Sequence, residues 1–107
     1  MAKIGPLAVN ISPTFGNDEM RRHVEVCRQH GVGVIITPVG DPTATAHIIQ
    51  DAGILHFHDV TSLRFPEKAI AAHVDGMIAI GAGGGGHAGT ISHLAFIPQL
   101  PAMFDVI

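Results

Sequence analysis

Residues 77–89 read MIAIGAGGGGHAG, an apolar run followed by a glycine-rich loop that contains one histidine, His87. The run 77–80 is typical of a buried strand. Glycines directly after a strand let the backbone approach a flat or anionic ligand, because no Cβ stands in the way. Histidine is the side chain most easily poised for proton transfer near neutral pH. The stretch therefore predicts a ligand-binding loop that carries a base; the alternative is an ordinary tight loop with His87 facing water.

The strand at 77–80 is the last of four apolar segments, and helix-like stretches of about 10–14 residues separate them. The four segments are 7–11, 32–37, 54–57 and 77–80. Such alternation is typical of βαβ units and a parallel sheet. Both an open doubly wound sheet and part of a (β/α)8 barrel fit it, and in both the functional loops leave the carboxyl ends of the strands. Here those loops are 12–17, 38–42, 58–62 and 81–93.

The predicted helices have apolar stripes that face the sheet. In the first helix the stripe is Met20, Val24 and Cys27, with Asn17 or Asp18 as the cap. The third helix is predicted to start near Ser62 and to pack through Ala69 and Ile70.

Length and composition limit the class of protein. A chain of 107 residues predicts a single domain, residues 1–107. We expect no membrane partner, because no apolar run approaches the roughly 18–20 residues that span a bilayer. The single cysteine, Cys27, excludes an internal disulfide and fits a cytoplasmic location. A net charge of −3, with no cluster of Lys or Arg and no Trp or Tyr, argues against nucleic-acid binding.

Polar residues at the strand ends are candidate ligands. Asn10 interrupts an apolar run, where its amide could hydrogen-bond a heterocyclic edge or be satisfied by neighbouring backbone. His56 and His58 lie two residues apart in a strand, so their side chains point to the same side. Together with Asp59 they suggest metal binding as an alternative function. His87 or His93 would have to complete that site, and no established metal motif is present, so we predict no metal.

The glycine-histidine loop also resembles a known family. Gly85-Gly86-His87-Ala88-Gly89 resembles the hallmark loop of the nitronate monooxygenase (2-nitropropane dioxygenase-like) family, which comprises FMN-dependent (β/α)8 barrels. Ala8-Val9-Asn10 is similar to the family's strand that ends in an asparagine facing the flavin. Residues 58–61, with Arg64 and Lys68 and then 74–78, resemble its next strand-helix-strand stretch. The resemblance implies an α/β fold, a partial (β/α)8 TIM barrel of about four βα units with parallel strands.

The resemblance also implies an activity and roles for particular residues. FMN is the implied cofactor, and the implied reaction oxidises a nitronate or nitroalkane with O2 to a carbonyl compound and nitrite. Asn10 and Ser12 would line the flavin, Gly85 and Gly86 would let the backbone approach its ring, and His87 would be the base. The chain departs from some relatives at two cofactor positions. Asp59 stands where those relatives have a flavin-contacting lysine, and Ile80 stands where others have a glutamine.

Related barrels with the same loop reduce enoyl-acyl-carrier-protein or quinones, so these activities are alternatives, as is a non-catalytic remnant. The family holds the FMN phosphate in two later glycine-rich loops, which implies that this chain is an internal fragment. A partial barrel would expose two edge strands and an apolar inner face. We therefore expect marginal stability, self-association or a requirement for a partner fragment.

Overall fold

Four parallel strands alternate with helices along the chain. The computed structural model describes residues 6–12, 14, 16–38, 40–64, 66–86 and 88–102. Its elements in chain order are β1 (Ala8–Asn10), α1 (Asn17–Gln29), β2 (Val34–Thr37), α2 (Thr43–Asp51), β3 (Leu55–Val60), α3 (Pro66–Ala71), β4 (Gly76–Ala79), α4 (His93–Phe96) and a 3-10 helix, Ile97–Ala102.

The strand order decides between the two folds that the sequence left open. The sheet order is β1-β2-β3-β4, with every pair parallel. A doubly wound sheet reverses its strand order at a switch point, whereas a barrel wall adds each strand beside the preceding one. The described sheet has no such reversal. Its topology is that of part of a (β/α)8 barrel.

The sheet packs its helices on one face. Ile35 of β2 lies in a buried cluster with α1 and α2, whose apolar stripes supply most of the other members. Those members are Ile11, Met20, Val24, Cys27, Val32, Ile48, Ile49 and Ile54. Ile35 pairs with His56, and Thr37 pairs with His58, so all four side chains point toward the helices. The alternate residues, such as Ile36 and Phe57, form the opposite face, which is only partly buried.

A second buried cluster seats the last helices against β3 and β4. It consists of Val60, Phe96 and Leu100, with Leu63, Met77, Ala79 and Ile91 packed around it. Phe96 is fully buried, which fixes the short helix α4 against the sheet. None of the helices in the described residues combines the length and apolar character required to cross a bilayer.

The structure corrects three local predictions. The third strand extends to Val60 rather than ending at Phe57, so His58 and Asp59 lie within β3 and not in a loop. Helix α3 begins at Pro66 rather than near Ser62, and Ile70 is exposed. At α1 the N-cap is Gly16, which makes no side-chain cap bond, although the predicted stripe of Met20, Val24 and Cys27 is buried.

Asp41 stabilises the start of α2. Its Oδ1 accepts hydrogen bonds from the backbone N–H of Thr43 at 3.0 Å and from the Thr43 hydroxyl at 2.6 Å. Its Oδ2 accepts from Lys68 Nζ of α3 at 2.9 Å. These bonds, those from Thr43 above all, hold the pKa of Asp41 well below its usual range. The carboxylate therefore joins the cap of one helix to the next helix.

We expect Asp41→Ala to lower the melting temperature, because the first turn of α2 loses its acceptor and α3 loses an ion pair. Thermal unfolding followed by circular dichroism measures the change. Asp51→Ala, a loss of charge at the exposed carboxyl end of α2, is the control and should have a much smaller effect. Equal melting temperatures for the two variants would contradict the capping role.

Candidate functional site

Several predicted site residues lie at the carboxyl edge of the sheet. Asn10 is the last residue of β1, and the glycine-rich loop follows β4. The register pairs Asn10 with Ile36, and Ile36 with Phe57, so Asn10, Phe57 and Asp59 share the face opposite the described helices. Asn10 is exposed and Asp59 is half-buried. The structure thus brings two of the predicted cofactor residues to one edge and one face of the sheet.

The other predicted cofactor residues, Ser12, Gly85 and Gly86, lie in loops that follow strands at that same edge. Ser12 is exposed and lies two residues beyond the end of β1. Gly85 and Gly86 are exposed in the loop after β4. His87, the predicted base, lies outside the residues that the structure describes. Its role therefore stays a prediction from the sequence.

Backbone hydrogen bonds close the glycine-rich loop onto its first residue, Gly81. The carbonyl of Gly81 accepts from the N–H of Gly84 at 3.1 Å and from the N–H of Gly89 at 3.2 Å. The N–H of Ala82 donates to the carbonyl of Ile91 at 2.8 Å, which joins the loop to the segment before α4. The loop is thus a closed turn whose outer part carries Gly85 and Gly86.

The glycines of this loop fall into two kinds. A Cβ on Gly89 would lie 2.8 Å from the carbonyl oxygens of both Ile80 and Thr61, and one on Gly81 would lie 2.8 Å from the His93 ring. These two glycines are required by packing within the protein. A Cβ on Gly85 or Gly86 would meet none of the described residues within 4 Å. Gly86 has a φ of +77°, which itself favours glycine, but Gly85 has neither a positive φ nor a close neighbour.

His56 and His58 lie on the other side of the sheet, in a buried network centred on Thr37. The Thr37 hydroxyl is 2.7 Å from His56 Nε2 and 2.7 Å from His58 Nδ1, and His58 Nε2 is 3.1 Å from the carbonyl oxygen of Gly40. A carbonyl only accepts, so His58 Nε2 carries a proton and its Nδ1 accepts from the Thr37 hydroxyl. The Thr37 oxygen then accepts from His56 Nε2–H. Among the residues that the structure describes, the buried His56 Nδ1 has no hydrogen-bond partner.

Burial favours the neutral form of both rings. Desolvation, with a smaller contribution from His58, lowers the pKa of His56 to about 4, although the Asp75 carboxylate acts in the opposite direction. Desolvation also lowers the pKa of His58, against the Gly40 carbonyl and the carboxylates of Asp59 and Asp41. The two histidines are thus part of the packed interior between the sheet and its helices.

The geometry separates the groups that could have formed a metal site. Asp59 lies on the opposite face of β3 from His56 and His58. His93 hydrogen-bonds the backbone N–H of Gly81. Within the described ranges there is no group of three or more His, Cys, Asp or Glu side chains that could hold a metal ion.

Sequence reasoning missed Thr37, which joins the two histidines, and the bond between His93 and Gly81. Thr37 gave one local signal, a hydroxyl residue at the end of the apolar run 32–36. For His93 no local signal was present, because Gly81 lies twelve residues earlier and only the folded loop brings the two together.

Comparison with known proteins identifies the fold. No protein-family model and no curated protein matches the sequence. Among solved structures, FabK from Thermotoga maritima superimposes with a TM-score of 0.80 and 24% identity, covering 94% of this chain and 32% of FabK. A single-residue mutant of that FabK gives a TM-score of 0.79 and 24% identity, covering 94% of this chain and 34% of the mutant. The chain spans about a third of the length of these neighbours and has the fold of a partial (β/α)8 barrel.

Proposed function

We propose that the chain forms part of an FMN-dependent oxidoreductase that converts alkyl nitronates, with O2, to a carbonyl compound and nitrite. The observation that carries the proposal is the open backbone at Gly85, at the carboxyl edge of a barrel-type sheet. Nothing within the described protein requires glycine there, since a Cβ would meet open space and φ is not positive. A flat ligand lying against this backbone would require it.

The described residues fit the ring end of FMN. The exposed glycine backbone offers a surface without side chains, and Asn10 and Asp59 lie on the open face at the same edge. When bound, FMN would supply the redox chemistry, which the side chains of this chain cannot supply. The protein would supply binding, orientation and a proton acceptor.

Each residue has a role that matches its chemistry. Asn10 offers both a donor and an acceptor, and Ser12 offers a hydroxyl, so both can hydrogen-bond the polar edge or the ribityl chain of FMN. An ionised Asp59 carboxylate only accepts hydrogen bonds, so it would pair with a donor group of the ligand. The lysine that some relatives have at this position would pair with an acceptor group instead. His87 is the proposed base that removes the α-proton of a neutral nitroalkane. A nitronate has already lost that proton and depends less on His87.

A second candidate is a flavin-dependent reductase of enoyl-acyl-carrier-protein, one of the activities found among barrels with the same loop. The structural likeness to FabK supports this candidate at least as well as the first. Nitrite release from propyl-2-nitronate favours the first candidate, whereas NADH-dependent loss of an enoyl thioester favours the second.

Titration of the chain with FMN tests the cofactor assignment. We expect saturable quenching of flavin fluorescence in the micromolar range or tighter. We also expect Gly85→Ala to weaken binding at least about fivefold, because a methyl group placed between backbone and ring costs on the order of 1–3 kcal/mol.

Gly33→Ala is the matched control, since a Cβ there would meet only the Leu7 carbonyl oxygen at 4.0 Å, φ is not positive, and Gly33 lies directly before β2, at the amino edge of the sheet. Its FMN affinity should equal that of the wild type. An absence of saturable binding by the wild-type chain would contradict the cofactor assignment. Equal affinities of Gly85→Ala and wild type would show that this backbone does not contact the ring.

A further inference from the structure

His93 is the side chain that holds the base of the glycine-rich loop. It is the first residue of α4, and its Nε2 lies 2.9 Å from the backbone nitrogen of Gly81. The N–H of Gly81 donates, so Nε2 carries the lone pair and the proton of the neutral ring is on Nδ1. His93 therefore acts as an acceptor for a partly buried backbone donor.

Gly81 and His93 fit each other sterically as well. A Cβ on Gly81 would lie 2.8 Å from both Cγ and Cδ2 of His93, so the ring occupies the space that any other residue at 81 would fill. A Cβ on Gly83 would lie 3.5 Å from His93 Nδ1, which is ordinary contact. The ring thus leaves no room for a side chain at Gly81 and lies close to Gly83, while its Nε2 accepts the hydrogen bond from the Gly81 N–H.

The bond matters because Gly81 joins the other hydrogen bonds of the loop. The Gly81 carbonyl accepts from the N–H groups of Gly84 and Gly89, while its own N–H goes to His93. The helix that carries His93 is fixed in turn, because Phe96, three residues later, is fully buried against β3 and β4. A continuous path of contacts thus runs from the packed interior through His93 to the loop that exposes Gly85.

We propose that His93 is a positioning residue, whose neutral ring sets the conformation of the glycine-rich loop for ligand binding. It does not itself need to contact the ligand. Losing the bond leaves the Gly81 N–H without its partner, and one hydrogen bond of this kind corresponds to about a tenfold change in an equilibrium constant. The part that concerns FMN rests on the function proposed above.

The test uses the full chain and three variants on α4. His93→Gln keeps an acceptor near the position of Nε2, and His93→Leu removes it; both residues have good helix propensity. Leu94→Gln is the control, because Leu94 is 90% exposed on the same helix. Two properties are measured: the dissociation constant for FMN, and the amide hydrogen exchange of Gly81, Gly84 and Gly89 in the ligand-free protein by NMR.

We expect His93→Leu to weaken FMN binding about tenfold and to speed exchange at the three loop amides about tenfold. His93→Gln should largely restore both, Leu94→Gln should change neither, and the amide of Ile36 in β2 should exchange at one rate throughout. The nitrogen resonances of the neutral His93 ring should show a proton on Nδ1 and none on Nε2.

Two results would overturn the positioning role. The first is equal loop exchange in His93→Gln and His93→Leu, which would show that the acceptor is irrelevant. The second is a neutral ring with its proton on Nε2, which could not accept from Gly81. If the wild-type chain fails to bind FMN, the proposed function fails, but exchange and tautomer still decide the role of His93.

Discussion

Acidification from pH 7 to pH 4 should lower the free energy of unfolding by about 3 kcal/mol through the protonation of His56 alone. The value follows from a pKa lowered from 6.5 to about 4, at 1.36 kcal/mol for each unit. The structural reason lies in the Thr37 network. A proton added to His56 goes to Nδ1, which is buried and has no partner among the described residues, so none of them would accept from the new N–H.

The direction of this effect follows from proton linkage. The pKa of His56 is lower in the folded protein than in the unfolded chain, so between pH 6.5 and about 4 the unfolded chain binds more protons. Stability is therefore complete above pH 6.5 and is lost as the pH falls through this window. His58 adds to the loss, because its pKa is also lowered and its Nδ1 already accepts from Thr37.

Urea unfolding at a series of pH values between 7 and 4 measures the effect. His56→Gln removes the titrating group but keeps an N–H donor for Thr37, so its stability should depend less on pH than that of the wild type. His47→Gln, at an exposed position of α2, is the control and should keep the wild-type pH dependence. If the free energies of unfolding of His56→Gln and the wild type fell in parallel with pH, His56 would not be the group responsible for the loss of stability in acid.

The buried histidines also show where sequence-based prediction reaches its limit. Apolar segments that alternate with helical stripes correctly predicted parallel strands, because strands and helices that bury apolar side chains against each other leave a local pattern in the sequence. His58 and Asp59 interrupt that pattern, which therefore predicts a loop from residue 58 onward. They belong to β3, because Thr37 from the neighbouring strand satisfies His58. Thr37 lies 21 residues before His58 in sequence, so the residues around His58 do not indicate that the two side chains will pair.

The candidate site also combines features that the sequence predicts with features that only the fold reveals. The sequence was sufficient to place the glycine-rich loop after a strand, and parallel topology then places it at the same edge as Asn10. The sequence could not separate Gly85 from Gly89, because both are single residues of one glycine-rich run. Only the folded chain brings the Thr61 carbonyl to Gly89 while leaving Gly85 open.

That difference gives the second large effect: Gly89→Ala should lower the free energy of unfolding by about 1–3 kcal/mol, the usual range for overpacking. Its Cβ would lie 2.8 Å from the carbonyl oxygens of Ile80 and Thr61, which are backbone atoms beside β4 and β3 and cannot rotate away. The bond from Gly89 N–H to the Gly81 carbonyl should weaken as the loop shifts.

Urea unfolding of Gly89→Ala beside Gly85→Ala separates packing from ligand binding. Gly85→Ala should unfold within about 0.5 kcal/mol of the wild type, as is usual for a substitution without close neighbours, yet bind FMN less tightly. Gly89→Ala should lose stability before any ligand is added, and its FMN affinity should fall because the loop has moved. Wild-type stability in Gly89→Ala would show that the loop is not packed against the Thr61 carbonyl, and that Gly85 and Gly89 do not differ in their packing.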